Sequence, residues 1–273
     1  MIASHERNQL LDPSGFEQEI LKFLNTFQFS GQKPSLDHIR SVAQYYSRLP
    51  YENISKILKR ADHPVGQLFR LPDELLEDHY AWHAGGTCFS LTYLLMGIYR
   101  ILGYDTDAII CDLNWGANNH SAVMIQFGGQ RYLVDPGYMI FKPLALVQDN
   151  VQTRISAETG ISLRYDQEDD LYSLYTFRKQ QFTRRYSFHP KAVPLDQFSK
   201  FWKDSFELPG MDDLILTRVE DYEMTFIQGD FIKITAPEQT QKFREADLAE
   251  KLIRDQFQIP LEKVEAARYL LKN

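Results

Sequence analysis

Cysteine is scarce in this chain, with only Cys88 and Cys111 among 273 residues. Two thiols so far apart make no disulfide framework, and a reducing cytoplasm is the expected compartment. Long apolar runs are missing as well. The longest, from Cys88 to Gly103, contains Arg100 and is too short to span a bilayer. The first residues, Met1 to Arg7, lack the apolar core of a signal peptide. Positive charge is in deficit, with 30 Lys and Arg against 37 Asp and Glu and a formal net charge of −7. That balance argues against nucleic acid or an anionic membrane as the main partner. There is no glycine-rich nucleotide fingerprint, no internal repeat and no low-complexity tract. What remains is ordinary globular composition, 44% apolar and 25% charged, in a chain long enough for two or three subdomains. A soluble intracellular protein is expected.

The periodicity changes along the chain. Phe16, Ile20, Phe23, Leu24 and Phe27 recur at helical spacing after the start signal Pro13-Ser14. Leu36, Ile39, Val42, Ala43 and Tyr46 repeat the pattern, and a third short helix follows Pro50 through Ile54, Ile57 and Leu58. Leu91, Leu94, Leu95, Ile98, Ile101 and Leu102 form one apolar stripe, with Gly103 where a helix end favours glycine. From about residue 105 the runs become strand-like: 107–113, 121–127, 131–134, 161–165 and 171–178. Lys191 to Asp196 reads as a linker. Gly229-Asp230 then separates strands at 224–227 and 231–234, and two helices close the chain. This order of helices, strands and a mixed segment predicts an α+β fold.

Cys88 is the most informative residue. The segment Ala84-Gly85-Gly86-Thr87-Cys88 places it first in the apolar helix, with Thr87 as N-cap and two glycines leaving the backbone open. The helix dipole and first-turn N–H groups there stabilise a thiolate. Cys111, inside Ala108-Ile109-Ile110-Cys111, reads as core. A carboxylate and an imidazole follow from pairing parity. If Gly128-Gly129 is a two-residue hairpin turn, Phe127 faces Gln130 and Asp135 faces Ala122. His120 is then on the same face as Ala122 and diagonal to Asp135, within reach of a hydrogen bond. A three-residue loop would reverse that parity. Cys88, His120 and Asp135 are therefore the candidate triad for acyl transfer through a thioester.

At these residues the chain resembles the arylamine N-acetyltransferase family. Gly85, Gly86, Cys88 and Phe89 match its R-G-G-x-C-F-E segment, and Pro50-Tyr51-Glu52-Asn53 matches its P-F-E-N. His120 stands where the family's histidine opens a strand, and Asp135-Pro136-Gly137-Tyr138 matches D-V-G-F/Y. The resemblance implies a papain-like or transglutaminase-like core: an N-terminal helical bundle (1–86), a catalytic helix with an antiparallel β-barrel (87–193), and a C-terminal α/β lid (194–273). It also implies acetyl transfer from acetyl-CoA, a co-substrate rather than a bound cofactor, to an aromatic amine or hydrazine. In that ping-pong scheme Cys88 is the nucleophile, His120 the base and acid, and Asp135 the orienting group. Three positions depart from the pattern: Ala84 replaces arginine, Ser90 replaces glutamate, and Pro136 replaces valine. Ser90 sits at N3, where a glutamate closes a capping box, so a reorganised first turn is expected.

Other features have two readings each. Trp115, in the Asn114–Asn119 loop, and Tyr138 are candidate substrate contacts; for Trp115, packing on its own neighbours is the alternative. His79 and His83 have i, i+4 spacing but no third ligand, so a structural role outweighs a metal site. His83 is the rival base to His120. The run Phe177 to Arg185 mixes cations and aromatics, suiting CoA phosphates or a solvated strand face. Competing functions are a related amide synthase with another acyl donor, a transglutaminase-like or papain-like hydrolase, and an inactive scaffold.

Overall fold

The computed structural model describes residues 13–26, 29, 31–62, 68–155, 159–208, 212–220, 223–237 and 239–272. Met1 to Arg7 and Phe27 lie outside them. Helices α1 (Glu17–Asn25) and α2 (Leu36–Tyr46) bury the predicted stripes, Ile20, Phe23 and Leu24 in one and Ile39, Val42, Ala43 and Tyr46 in the other. Ser35 caps α2 by accepting the His38 N–H at 3.0 Å. A two-residue strand, β1 (Tyr51–Glu52), leads into α3 (Ile54–Asp62) and then α4 (Pro72–Trp82), which starts on proline and ends at left-handed His83. Next comes α5 (Cys88–Ile101), stopped by Gly103 at φ +84°.

Every residue of α5 from Cys88 to Tyr99 is buried. The sequence predicts one stripe, but this helix has the bundle on one side and a sheet on the other. A helix apolar all round belongs in such a place.

Among the described residues the large sheet has eight antiparallel strands: β2 (Asp105–Leu113), β3 (Gly116–Phe127), β4 (Gln130–Asp135), β5 (Ile140–Ala145), β6 (Val151–Arg154), β7 (Thr159–Asp166), β8 (Leu171–Arg178) and β9 (Gln181–Phe188). Their spatial order is β5-β4-β3-β2-β9-β8-β7-β6, and the edge strands β5 and β6 touch, so the sheet curls into an almost closed barrel. Alternation sorts the side chains of β2 and β3. Ala108, Val123 and Ile125 pack on α5 and the bundle, while Ile109, Cys111, Ala122 and Met124 fill the barrel.

After the barrel come α6 (Leu195–Asp204), strands β10 (Ile215–Glu220), β11 (Glu223–Gln228), β12 (Phe231–Thr235) and β13 (Thr240–Arg244), and helices α7 (Ala246–Asp255) and α8 (Leu261–Lys272). The second sheet runs β1-β10-β11-β12-β13, so a strand from the bundle forms its edge. The architecture is α+β: helical bundle, barrel and α/β lid. As a proposal for folding units, 1–86, 87–193 and 194–273 follow chain order, and packing crosses both boundaries. Ile54, Ile57 and Trp82 share a core with Leu216, Ile232, Ile253 and Val264, while Phe198 and Trp202 of α6 enter the bundle core.

Several local expectations are corrected. The Asn114–Asn119 loop is only a turn at Asn114-Trp115, because Gly116 to Asn119 already pair or extend as β3. The presumed linker at 191–196 runs into α6, tied to β2 by Val193 N–H on the Ala108 carbonyl at 3.0 Å. Thr87 occupies the N-cap position with extended backbone, yet its side chain makes no capping bond. The first turn is also regular, with Leu91 N–H on the Thr87 carbonyl and the Ser90 hydroxyl donating to that same oxygen at 3.0 Å.

Candidate active site

The hairpin between β3 and β4 has the two-residue turn, with Gly128 at φ +60° and Gly129 at +77°. Both positive angles suit a type I′ turn, which glycine adopts without strain. The register follows: Val123 pairs Val134, Ile125 pairs Tyr132 and Phe127 pairs Gln130. Continuing that alternation, His120 and Asp135 share the barrel-facing side. His120 lies inside β3, opposite Cys111, rather than at the opening of the strand. Its Nε2 is 2.9 Å from Asp135 Oδ2, and both side chains are buried.

The nitrogen left over, Nδ1, is the one free for the Cys88 thiol, which is hydrogen-bonded to His120. Burial alone lowers the imidazole pKa. The Asp135 carboxylate and the hydrogen bonds to Asp135 and Cys88 outweigh burial and raise it to about 10. Asp135, fully buried at the end of β4, takes further bonds from the Tyr186 hydroxyl at 2.5 Å and from Tyr138 N–H at 3.0 Å. Three donors fix the carboxylate so that it can orient the ring.

Gly137 fits between these groups. A Cβ there would lie 2.7 Å from His120 Cε1 and 2.9 Å from the Cys88 Cβ, closer than carbon atoms approach. Only glycine allows the turn after Asp135 to close over the pair. Around them stand Tyr51, Tyr138 and Tyr186. Burial first, and the nearby Asp135 carboxylate second, raise the Tyr138 phenol to about 12 and Tyr186 well above its ordinary value. Burial likewise raises Tyr51, with Cys88 adding to the effect. Phenols beside the thiol therefore stay neutral. Burial lowers the Lys56 ammonium to about 8, and Cys88 opposes that change. Its Nζ donates to the Ser205 hydroxyl and carbonyl, both at 2.8 Å.

Of the other candidates, Tyr138 meets the site, its ring edge-on to His120 at 5.1 Å. Trp115 does not. It is 54% exposed at the β2–β3 tip, and Gly116 beside it is about 13 Å from His120 along the strand. His83 caps α4 and, with His79, Arg48 and Arg218, lines a separate cavity of about 720 Å³. The His79 Nδ1 meets the Ala84 carbonyl at 2.9 Å, so this ring braces the segment before Cys88. In the Phe177–Arg185 run a turn at Lys179-Gln180 divides β8 from β9. There Arg184 Nε bonds Asn114 and Arg185 Nε bonds Thr176. Cys111 is buried in the barrel core, which raises its thiol pKa well above the usual range.

Sequence reasoning missed Tyr186 and the clamping role of Gly137. The Asp-Pro-Gly sequence signals a strand end, but not what lies across the turn. Tyr186 comes from a strand distant in sequence, with no local mark of its task.

A cysteine heading a buried helix, faced by a histidine–carboxylate pair on a curled antiparallel sheet, places the chain in the class of α+β proteins built from a helical bundle, a barrel and an α/β lid. More narrowly, the chain belongs to the N-acetyltransferase family, whose model matches residues 35–266. It is an acyltransferase by that membership. Solved structures agree on the fold. The arylamine N-acetyltransferase of Mycobacterium abscessus superimposes with a TM-score of 0.79 at 14% identity, covering 100% of this chain and 99% of its own. That of M. tuberculosis gives 0.73 at 18%, covering 92% and 98%. A Bacillus cereus arylamine N-acetyltransferase, described as having a Cys-His-Glu triad, gives 0.68 at 16%, covering 89% and 98%. No curated protein matches the chain by sequence.

Proposed function

We propose that this enzyme carries an acetyl group from acetyl-CoA to an arylamine or arylhydrazine through a thioester on Cys88. The observation that carries the reading is a buried relay in which the Cys88 thiol is hydrogen-bonded to His120 and His120 Nε2 lies 2.9 Å from Asp135 Oδ2. His120 takes the Cys88 proton, and Sγ attacks the acetyl carbonyl carbon. The oxyanion forms beside the first-turn N–H groups of α5, which have no intrahelical acceptor. As the C–S bond to CoA breaks, the imidazolium gives its proton to the departing sulfur. The amine nitrogen then attacks the thioester, His120 removes the amine proton, and the Cys88 sulfur leaves to be reprotonated. Asp135 holds the Nε2–H tautomer and balances the imidazolium throughout.

Intact-mass spectrometry after mixing with acetyl-CoA tests this directly. The parent chain gains one acetyl group, Cys88→Ala gains none, and adding an arylamine discharges the adduct. His120→Ala loses about 10²- to 10⁴-fold in rate, the usual weight of a general base. His83→Ala stays near the parent. Acetylation without discharge to any arylamine would transfer the reading to another acyl acceptor, and no adduct would remove it.

A further inference from the structure

We infer that Arg70 is a positioning residue for Cys88, locking the backbone turn that leads into the nucleophile. The inference deepens the reading of Cys88 as nucleophile and rests on it. The segment Ala84-Gly85-Gly86 is tied at each carbonyl in turn. His79 Nδ1 holds the Ala84 oxygen, an Arg70 Nη1 hydrogen bond of 2.6 Å holds the Gly85 oxygen, and Glu52 N–H holds the Gly86 oxygen at 3.0 Å. Of these three ties, Arg70 supplies the only one made by a permanently charged group.

The chain leaves little slack there. A Cβ on Gly85 would lie 1.8 Å from the Pro50 carbonyl oxygen, so the turn is pressed against the segment carrying Tyr51 and Glu52. Arg70 is itself gripped from several sides. Its Nη2 donates to Asp78 Oδ2 at 2.6 Å, and its Nη1 donates also to Ser55 Oγ at 2.6 Å. The same Nη1 is 3.8 Å from Glu52 Oε1, and Nε is 3.8 Å from Glu74 Oε1. Arg70 is 3% exposed and Glu52 fully buried. A buried carboxylate needs a cation with several donors in a fixed plane, which a guanidinium supplies. Glu52 in turn accepts from Ser55 N–H at 2.9 Å and so fixes the start of α3. One cation thus neutralises the buried acid and sets the entry of α5. Ala84 has no charge to offer, so the guanidinium comes from the segment before α4.

Alkylation by iodoacetamide across pH tests this without acetyl-CoA, with thermal unfolding measured beside it. In Arg70→Met the folded protein loses tenfold or more in Cys88 alkylation rate near neutral pH, and its profile moves to higher pH. Arg70→Lys restores charge but not the fork, and recovers only part of the rate. Should Arg70→Met fail to fold, Asp78→Asn loosens the same guanidinium and moves the profile in the same direction by less. Variants with lowered melting temperatures but the parental alkylation rate and pH profile would make Arg70 purely structural and overturn the inference alone. A parent chain whose Cys88 reacts no faster than an ordinary thiol would overturn the nucleophile reading and this inference with it.

Discussion

At Gly137 a missing side chain does more for the site than most side chains present. Its hydrogen faces both the His120 ring and the Cys88 Cβ, so adding one methyl group must separate them. A displacement of an ångström between reacting groups costs roughly a hundredfold in rate. Gly137→Ala is accordingly expected to lower kcat by about that factor in a steady-state assay, while circular dichroism remains that of the parent. The charge on His120 gives a second test. Its pKa is raised from 6.5 to about 10 on folding, so the imidazolium stabilises the fold fully below the unfolded value. That share fades as pH climbs through the folded value. The stability gap between the parent and His120→Gln, from denaturant unfolding, is therefore largest near pH 6 and narrows towards pH 10. A gap that widens with pH would contradict a protonated His120.

Among the elements, the β3–β4 hairpin decides whether the site exists, because its turn sets which residues share a face. Gly128 and Gly129 both hold positive φ with open space around them, so the cost of a side chain there is conformational rather than steric. Gly129→Val is expected to destabilise by about 1–2 kcal/mol, the penalty for an L-residue in the left-handed region. Thermal unfolding reads this as a lowered melting temperature. The shared face of His120 and Asp135 was legible in the sequence because turn length and strand alternation are local rules. Elements without such marks were not. Strand β9 carries Tyr186 but looks from the sequence like part of a charged run, and α6 follows a proline that reads as a linker. Their apolar residues find partners far along the chain, where periodicity offers no guidance.

Across the whole molecule, the closing helices hold the segment that carries the matched Pro50-Tyr51-Glu52-Asn53. Val264 and Ala267 of α8 pack in one core with Ile54 and Ile57 of α3, and β1 forms the edge of the lid sheet through Tyr51 and Glu52. Asn53 adds to this seam, its side chain donating to the Asp213 carbonyl at 2.7 Å and accepting Ile215 N–H at 2.8 Å. A chain ending at Pro260 uncovers that core. It is expected to melt at a lower temperature and to lose acetyl transfer, since α3, Glu52 and Arg70 shift together. Full transfer activity in the shortened chain would show that α8 does not support the site.

Local chemistry in the sequence was enough to determine the α+β order, the helix that begins at Cys88, and the hairpin that sets His120 beside Asp135. Helical period, strand alternation and glycine turns act over a few residues, so they can be read without partners. Only the tertiary structure decided that Tyr186 donates to Asp135, that Gly137 closes on the thiol, and that Arg70 braces the turn before it. Those contacts join residues distant in the chain, and their geometry is fixed by close packing of whole elements rather than by any local preference.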